Sequence, residues 1–549
     1  MKTGARLERL LAAGLAVLLL LPFAGKAFHI DDPLFLFAAD QIRRHPADFF
    51  GFDVNWYGVT MPMSQVTKNP PLVSYYIAGV QSLFGTGEFP LHLAFLLPAA
   101  LLAAGTFELA RRFCRRPLLA VTLVLLSPAV LVSATSIMCD TWMAALWVWA
   151  VVAWLRGLDQ DRLSWMTAGA LLAGLAALTK YFGLCLIPLL AASALARTRR
   201  PGRWLGPLAL PVVLLAAYQG HTHALYGRGL LFDAAEYATV KGLAARNPGW
   251  SGLVGLGFTG ACMAPVLFLA PWLWRRRGLA AGALLAAMLF ILFVLVAPQG
   301  TPPSAETGGA GPVNWRLAAQ FALWAAAGTG VWRLAAAESW RHRDADTLLL
   351  GLWLAGTGLF AVFVNWTVNA RSLLPMAPAL AVLAVRRFER DPAASGTRLP
   401  AGVWAALAGA AALALAVAGA DHSLAGSARN AADRLAPRYA APGHTLWFQG
   451  HWGFQYYMQK NGALPLDLDR PAIQPGDICV IPGNNTNIRF PPAETVEVLA
   501  REPEPVWRGL STLSVLPAGA GFYSDLWGPL PFSFHPVPPP EYWVLRQRR

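Results

Sequence analysis

Charge is what this sequence has least of. Only 13% of its 549 residues are charged, against about a quarter in an ordinary soluble domain, which excludes a chain with a normal water-facing surface. Cysteine is almost as scarce. The five present, at positions 114, 139, 185, 262 and 479, are scattered and show neither a disulfide framework nor metal-ligand spacing. Internal repeats are missing, as is any low-complexity segment beyond Ala/Leu-rich runs. Ionisable side chains are also missing from the middle of the apolar runs, where a transporter commonly carries them on broken helices within repeated halves.

Apolar runs fill most of the chain. At roughly 17–25 residues each they have the length of helices that cross about 30 Å of hydrocarbon, and helices satisfy their own backbone where water is absent. The spans are expected near 8–26, 88–110, 117–135, 138–155, 164–179, 181–197, 204–222, 250–274, 279–297, 315–333, 347–365, 371–386 and 401–420. That is about thirteen crossings. The first run follows Lys2, Arg6 and Arg9 without a small-residue cleavage site before His29, so it reads as an uncleaved span. Segment 71–84 is apolar but short, and reads as an interfacial or re-entrant helix.

The net charge of +14 does not mark a nucleic-acid binder. Arginines cluster in alternate loops, at 111, 112, 115 and 116, at 156 and 162, at 197–203, at 275–277, at 333–343 and at 386–390. A cytoplasmic N-terminus puts all of these clusters inside. The odd span count then sends the C-terminus outside. Two regions lie beyond the spans. Loop 27–87 is far longer than most connections, and the tail from 421 alternates apolar strands (445–448, 477–481, 512–516, 542–545) with helices (452–459, 493–501). The expected fold is an all-α polytopic domain, 1–420, followed by a small extracytoplasmic α/β domain, 421–549.

Charges collect at the span ends on the outer side: Asp31 and Asp32, Lys68 before Asn69, Asp140, Lys180, His221 and His223, and Arg371. Such a set suits group transfer from a phosphate-linked donor. A carboxylate removes the proton of an acceptor hydroxyl, while Lys and Arg stabilise the departing phosphate. Each residue also has a plainer role open to it. Asp32 can serve as a helix-start carboxylate, Asp140 as an N-cap, and Lys180 or Arg371 as interface anchors. The two histidines, at i and i+2, point to different sides of a helix and read as interfacial. The aromatic stretches 447–458 and 521–532 fit either a sugar platform or a core.

In order along the chain, HIDDPLFLFAADQI, KNPPLVSYYIAGVQSLFG, SIMCDTWMAALWVWAVVAWLR, GALLAGLAALTKYFGLCLIPLL and NARSLLPMAPALAVLAV resemble the GT-C membrane glycosyltransferases. The protein-mannosyltransferase and aminoarabinose-transferase group fits best. The resemblance covers roughly 8–390 and implies inverting sugar transfer from a polyprenyl-phosphate carrier to a hydroxyl or phosphate on a lipid, glycan or protein acceptor. It also implies a bacterial inner membrane. On this resemblance Asp31 is the general base, Asp32 stands where relatives carry Glu, and Asp140 is the acidic residue opening the fourth span. Lys180 and Arg371 bind phosphate, although Ser372 replaces the family's Tyr. Lys68-Asn69 stands where the aminoarabinose transferases have Glu-Lys, so the lysine is shifted by one position and the metal-binding Glu is missing. A divalent metal therefore has no clear ligand set, and the cofactor is left unassigned. A transporter or lipid flippase is the rival reading.

Overall fold

The computed structural model describes residues 2–240, 246–296, 314–392, 396 and 398–548. Helix α1 (Lys2–Leu20) leads into the long first connection. This connection is ordered as α2 (Asp32–Arg44), a hairpin of β1 (Asp53–Asn55) and β2 (Thr60–Pro62), α3 (Met63–Val66) and α4 (Leu72–Phe84). Then come α5 (Glu88–Ala110), α6 (Pro117–Leu125), α7 (Pro128–Ala134), α8 (Cys139–Gln160) and α9 (Leu163–Thr179). They are followed by α10 (Leu186–Thr198), α11 (Leu205–Tyr226), α12 (Leu230–Ala238), α13 (Pro248–Cys262), α14 (Ala264–Phe268) and α15 (Ala270–Leu273). The bundle closes with α16 (Arg276–Val296), α17 (Trp315–Arg341), α18 (Ala345–Leu359), α19 (Ala370–Leu373), α20 (Ala377–Phe388) and α21 (Ala401–Tyr439).

Each expected span falls on helix, but among the described residues only six helices are long and apolar enough to cross a membrane by themselves. A seventh is gained if α6 and α7, bent by 66°, count as one. Proline accounts for part of the difference from thirteen. Pro128 opens α7, and Pro265 and Pro271 break the 250–274 run into α13, α14 and α15, because each removes a backbone donor and crowds the preceding turn. Residue 297, the end of the ninth expected span, lies outside the described residues. Helix α4, at 13 residues, is too short to span, in keeping with its sequence.

The last helix departs from expectation in length. It runs 39 residues, or roughly 58 Å at 1.5 Å per residue, so the boundary placed at 420/421 falls inside it. Its second half carries Asp421, Arg434 and Arg438, which meet the tail, and Arg429, which turns back to Glu88 at 3.4 Å. Arg434 and Arg438 reach Glu502 at 2.6 and 3.0 Å.

The tail holds β3 (Leu446–Phe448), α22 (Trp452–Lys460), β4 (Leu464–Pro465), β5 (Ile478–Pro482), β6 (Val496–Pro503), β7 (Leu513–Ser514), β8 (Ala520–Gly521) and β9 (Glu541–Gln547). Five strands form one mixed sheet in the order β4-β3-β5-β9-β6. β3 runs parallel to β4 and β5, and β9 antiparallel to β5 and β6. β5 sits mid-sheet and is buried throughout. The helix expected over 493–501 is instead a turn leading into β6. There Val496 and Val498 alternate with Glu497 and pair with β9, so cross-strand pairing outweighs a modest helical pattern.

A buried ion pair lies where bundle and tail meet. Lys26 and Asp421 lie 2.6 Å apart and are both 0% exposed. Lys26 also donates to Thr135 Oγ1 at 3.0 Å, and Asp421 accepts from Thr512 Oγ1 at 2.7 Å and from the Tyr523 hydroxyl at 2.9 Å. Charges this deep persist only when paired and hydrogen-bonded. Asp421→Ala, which leaves Lys26 buried without a counter-charge, is expected to destabilise the fold by about 3–5 kcal/mol. A thermal-unfolding scan of the solubilised protein should show this loss, and Lys26→Met with Asp421→Leu should recover part of it.

Candidate active site

The site begins with a backbone strained at one residue. Ile30 has φ +48°, a left-handed conformation that a β-branched side chain rarely adopts. The strain sends the two following carboxylates to different places. Asp32 is fully buried, and its Oδ2 accepts from the His29 amide at 2.8 Å and its Oδ1 from the Ile137 amide at 3.1 Å. It ties the start of α2 to the segment before α8. Burial pushes its pKa up to about 7 against the pull of those two amides. Asp31 occupies the N-cap position of α2 but makes no capping bond. Its carboxylate turns outward to Arg371, whose Nη1 and Nη2 both donate to Oδ2 at 3.1 Å.

Arg371 lies at the start of α19, where Asn369 caps the turn by accepting from the Ser372 amide at 2.9 Å. Ser372, in the position where relatives carry Tyr, accepts instead from Asn365 at 3.1 Å. The guanidinium of Arg371 sits 5.4 Å from the Tyr523 ring centre and 3.9 Å from Asp140 Oδ2. Asp140 is not a cap, since the N-cap position of α8 is Met138 and Asp140 lies inside the first turn. Its carboxylate accepts from Lys180 Nζ at 2.6 Å. Lys180 is held in extended backbone between α9 and a tight turn at Tyr181–Cys185. Gly183 allows that turn, because a Cβ there would come 2.4 Å from the Ala176 carbonyl carbon.

Asp31, Asp140, Lys180 and Arg371 therefore form one connected set of two anions and two cations. Lys68 is not part of it. Its ammonium pairs with Asp233 at 2.6 Å, beside Arg228 on the same carboxylate, and lies 5.5 Å from the Tyr237 ring centre. Asn69 touches the edge of the set, accepting from Cys139 Sγ at 3.7 Å. His221 contacts the Ala47 carbonyl at 3.1 Å. Among the described residues no group of three or more His, Cys, Asp or Glu side chains is arranged to hold a metal ion.

Asp31, Arg371 and Tyr523 share the wall of a cavity of about 960 Å³ between the bundle and the tail. Oδ1 of Asp31 makes no hydrogen bond among the described residues, and the Asp31 side chain is 28% exposed against 2% for Asp140. Chemically this is an open carboxylate oxygen beside a cation that is itself backed by a second ion pair.

Residues 68–219 match the family of dolichyl-phosphate-mannose-protein mannosyltransferases. The matched segment contains Lys68, Asn69, Asp140 and Lys180, and the match bears out the resemblance to GT-C glycosyltransferases. The chain is also similar to two solved structures. One is the Archaeoglobus fulgidus oligosaccharyltransferase tethered with an acceptor peptide, at 14% identity and TM-score 0.48, covering 85% of this chain and 64% of that one. The other is ArnT from Cupriavidus metallidurans bound to undecaprenyl phosphate, at 17% identity and TM-score 0.46, covering 86% and 93%. This chain thus spans less than two thirds of the oligosaccharyltransferase. No curated protein sequence matches it.

Sequence reasoning missed Lys26, Asp421 and Tyr523. Lys26 was visible as a charge closing the first apolar run, but its partner lies 395 residues away, and no spacing rule connects them. The two neighbouring aspartates should respond differently to mutation. Asp32→Ala strands two buried amides and is expected to cost about 2–3 kcal/mol, whereas Asp31→Asn, part-exposed and still able to accept from Arg371, should change stability by less than about 1 kcal/mol. Thermal unfolding of the two variants side by side measures the contrast.

Proposed function

We propose that this protein is a membrane glycosyltransferase that moves a sugar from a polyprenyl-phosphate carrier to an acceptor, with inversion at the anomeric carbon. The observation that carries this reading is the convergence of Asp31, Asp140, Lys180 and Arg371, from four separate segments, into one ion network that opens on a cavity. The mannosyltransferase family match over 68–219 supports it. The topology that accompanies the reading is a thirteen-crossing chain with a cytoplasmic N-terminus, a bacterial inner-membrane location and the cavity on the extracytoplasmic side, as the alternation of arginine clusters favours.

In this mechanism the acceptor hydroxyl attacks C1 of the donor sugar from the face opposite the phosphate. Its proton passes to Oδ1 of Asp31, and the C1–O bond to the polyprenyl phosphate breaks with its electron pair going to the phosphate oxygen. An aspartate is a weak base toward a hydroxyl, so the proton moves late, as the oxygen bonds to C1. Arg371 and Lys180 stabilise the charge that grows on the leaving phosphate. The four charges sum to zero before the donor arrives, so an incoming phosphate competes with the carboxylates for Arg371. Drawing Arg371 toward the phosphate frees Asp31 to act as base, coupling donor binding to activation. Asp140 keeps Lys180 and Arg371 together, and Asp32 positions its neighbour.

Radiolabelled sugar transfer from a polyprenyl-phosphate donor by the purified protein tests the assignment. Asp31→Asn should slow transfer by about 10²–10⁴-fold, and Arg371→Lys should also impair it because a point charge replaces the planar fork. Near-normal turnover by Asp31→Asn removes that residue as the base. Uptake or flipping of lipid without covalent transfer replaces the transferase reading with a transporter.

A further inference from the structure

The cavity wall beyond Asp31 and Arg371 has a composition of its own. Six of the chain's 22 tryptophans share it: Trp56, Trp366, Trp452, Trp507, Trp527 and Trp543. Trp452 and Trp527 lie with ring centres 5.7 Å apart. Among the described residues, charged side chains on the same wall are few: the mutually paired Asp31 and Arg371, and Glu541. His451 is uncharged near neutrality, since burial holds its pKa at about 3.

Polar capacity on the wall comes from neutral amides. The loop after β5 is fixed by Asn485, which accepts from the His451 amide and donates to its carbonyl, both at 3.1 Å. Asn484 lines the cavity and makes no side-chain hydrogen bond among the described residues. Asn487, on the same wall, bonds only to Thr486 through its amide nitrogen among those residues. Trp452 itself is strained, at φ +64°. It is held there because Gly453 is pressed on the Phe28 carbonyl, 2.1 Å from where a Cβ would sit. Unusual backbone of this kind, fixed by its surroundings, concentrates at ligand sites.

We infer that the tail side of this cavity, built on Trp452, Trp527 and the amides of Asn484 and Asn487, binds an uncharged carbohydrate as the acceptor. This rests on the transferase reading and names the class of its second substrate. The apolar face of a pyranose ring packs on an indole, while its hydroxyls both donate to and accept from carboxamides. The cavity volume suits one or two such rings, being within the roughly 300–1,000 Å³ of small-ligand sites. The sparse charge argues against a polyphosphorylated lipid headgroup, which calls for several cations. The crowding of indoles argues against an extended peptide, whose backbone asks for a ladder of donors and acceptors. An acceptor ring held on this wall shares a cavity with the open oxygen of Asp31.

The test is binding without donor, followed by transfer. Uncharged tri- to pentasaccharides are titrated into the full-length protein in lipid nanodiscs and read by tryptophan fluorescence. The comparison ligands are the same glycans linked to lipid, a neutral Ser/Thr-rich peptide, and a bis-phosphorylated glycolipid. Saturable glycan binding is expected, weakened by at least about tenfold in Trp527→Ala. Asn484→Ala, which leaves the aromatic packing intact, should weaken it as well. Preference for the lipid-linked glycan assigns a membrane glycolipid as source, and equal binding a free or polymeric glycan; both support the inference. Glycan binding unaffected by either variant, or stronger saturable binding of the peptide or phosphorylated glycolipid, overturns it. Transfer to peptide in place of glycan overturns the acceptor class and keeps the transferase. Glycan binding with no transfer from any donor does the reverse.

Discussion

A single guanidinium organises the centre of this molecule. Arg371 donates twice to Asp31, approaches Asp140 and lies against the ring of Tyr523. Each contact comes from a different segment: the first connection, the start of α8, and the tail. A planar, permanently charged fork gives two parallel donors to one carboxylate while its face lies on an aromatic ring, which the compact point charge of a lysine does not reproduce. Replacing it would leave two carboxylates facing each other in a poorly hydrated site, where like charges repel strongly. The geometry of the reacting cluster therefore depends on this side chain more than on any one helix.

Tyr523 extends the same network to a second layer. Its ring meets Arg371 and its hydroxyl donates to Asp421, which in turn neutralises Lys26. Contacts run from Asp31 through Arg371 and the neutral Tyr523 to Asp421 and Lys26. Networks of this kind reinforce each other in low dielectric when every member is satisfied, and become costly when one is lost. The tail is consequently part of the site's foundation, because the partners that keep Arg371 and Lys26 in place are split between bundle and tail.

Much of this was legible in the sequence. Apolar run length places a helix at each expected span, and the span-end charges at 31, 140, 180 and 371 do meet. Three things were not legible. Proline could be counted but not its effect, so broken spans such as α13 to α15 read as one. Asp31 and Asp32 are adjacent and chemically identical, and only the left-handed turn at Ile30 separates a cavity-facing carboxylate from a buried clamp. Lys68 stood beside Lys180 among the phosphate candidates, displaced by one position from the family's lysine, and Asp233, 165 residues on, pairs with it. The aromatic stretches divide in a way no spacing rule foretells: Phe448, Phe454 and Phe532 are core, whereas Trp452, Tyr523 and Trp527 line the cavity.

Two of the positive-φ residues on the cavity wall flank one tightly held segment. Ile30 and Trp452 both hold positive φ, and between them the segment 28–32 is gripped from two sides. On the tail side, Gly453 presses on the Phe28 carbonyl and the Tyr457 hydroxyl accepts from the Phe28 amide at 2.8 Å, while donating to Glu88 at 2.8 Å. On the bundle side, Asp32 receives the Ile137 amide. Neither grip alone fixes the direction of Asp31; together they leave its backbone no relaxed alternative, and local strain of about 1–3 kcal/mol per residue persists only under such over-determination. The carboxylate that meets Arg371 is thus aimed by contacts on either side of it, and the aim depends on the tail being docked.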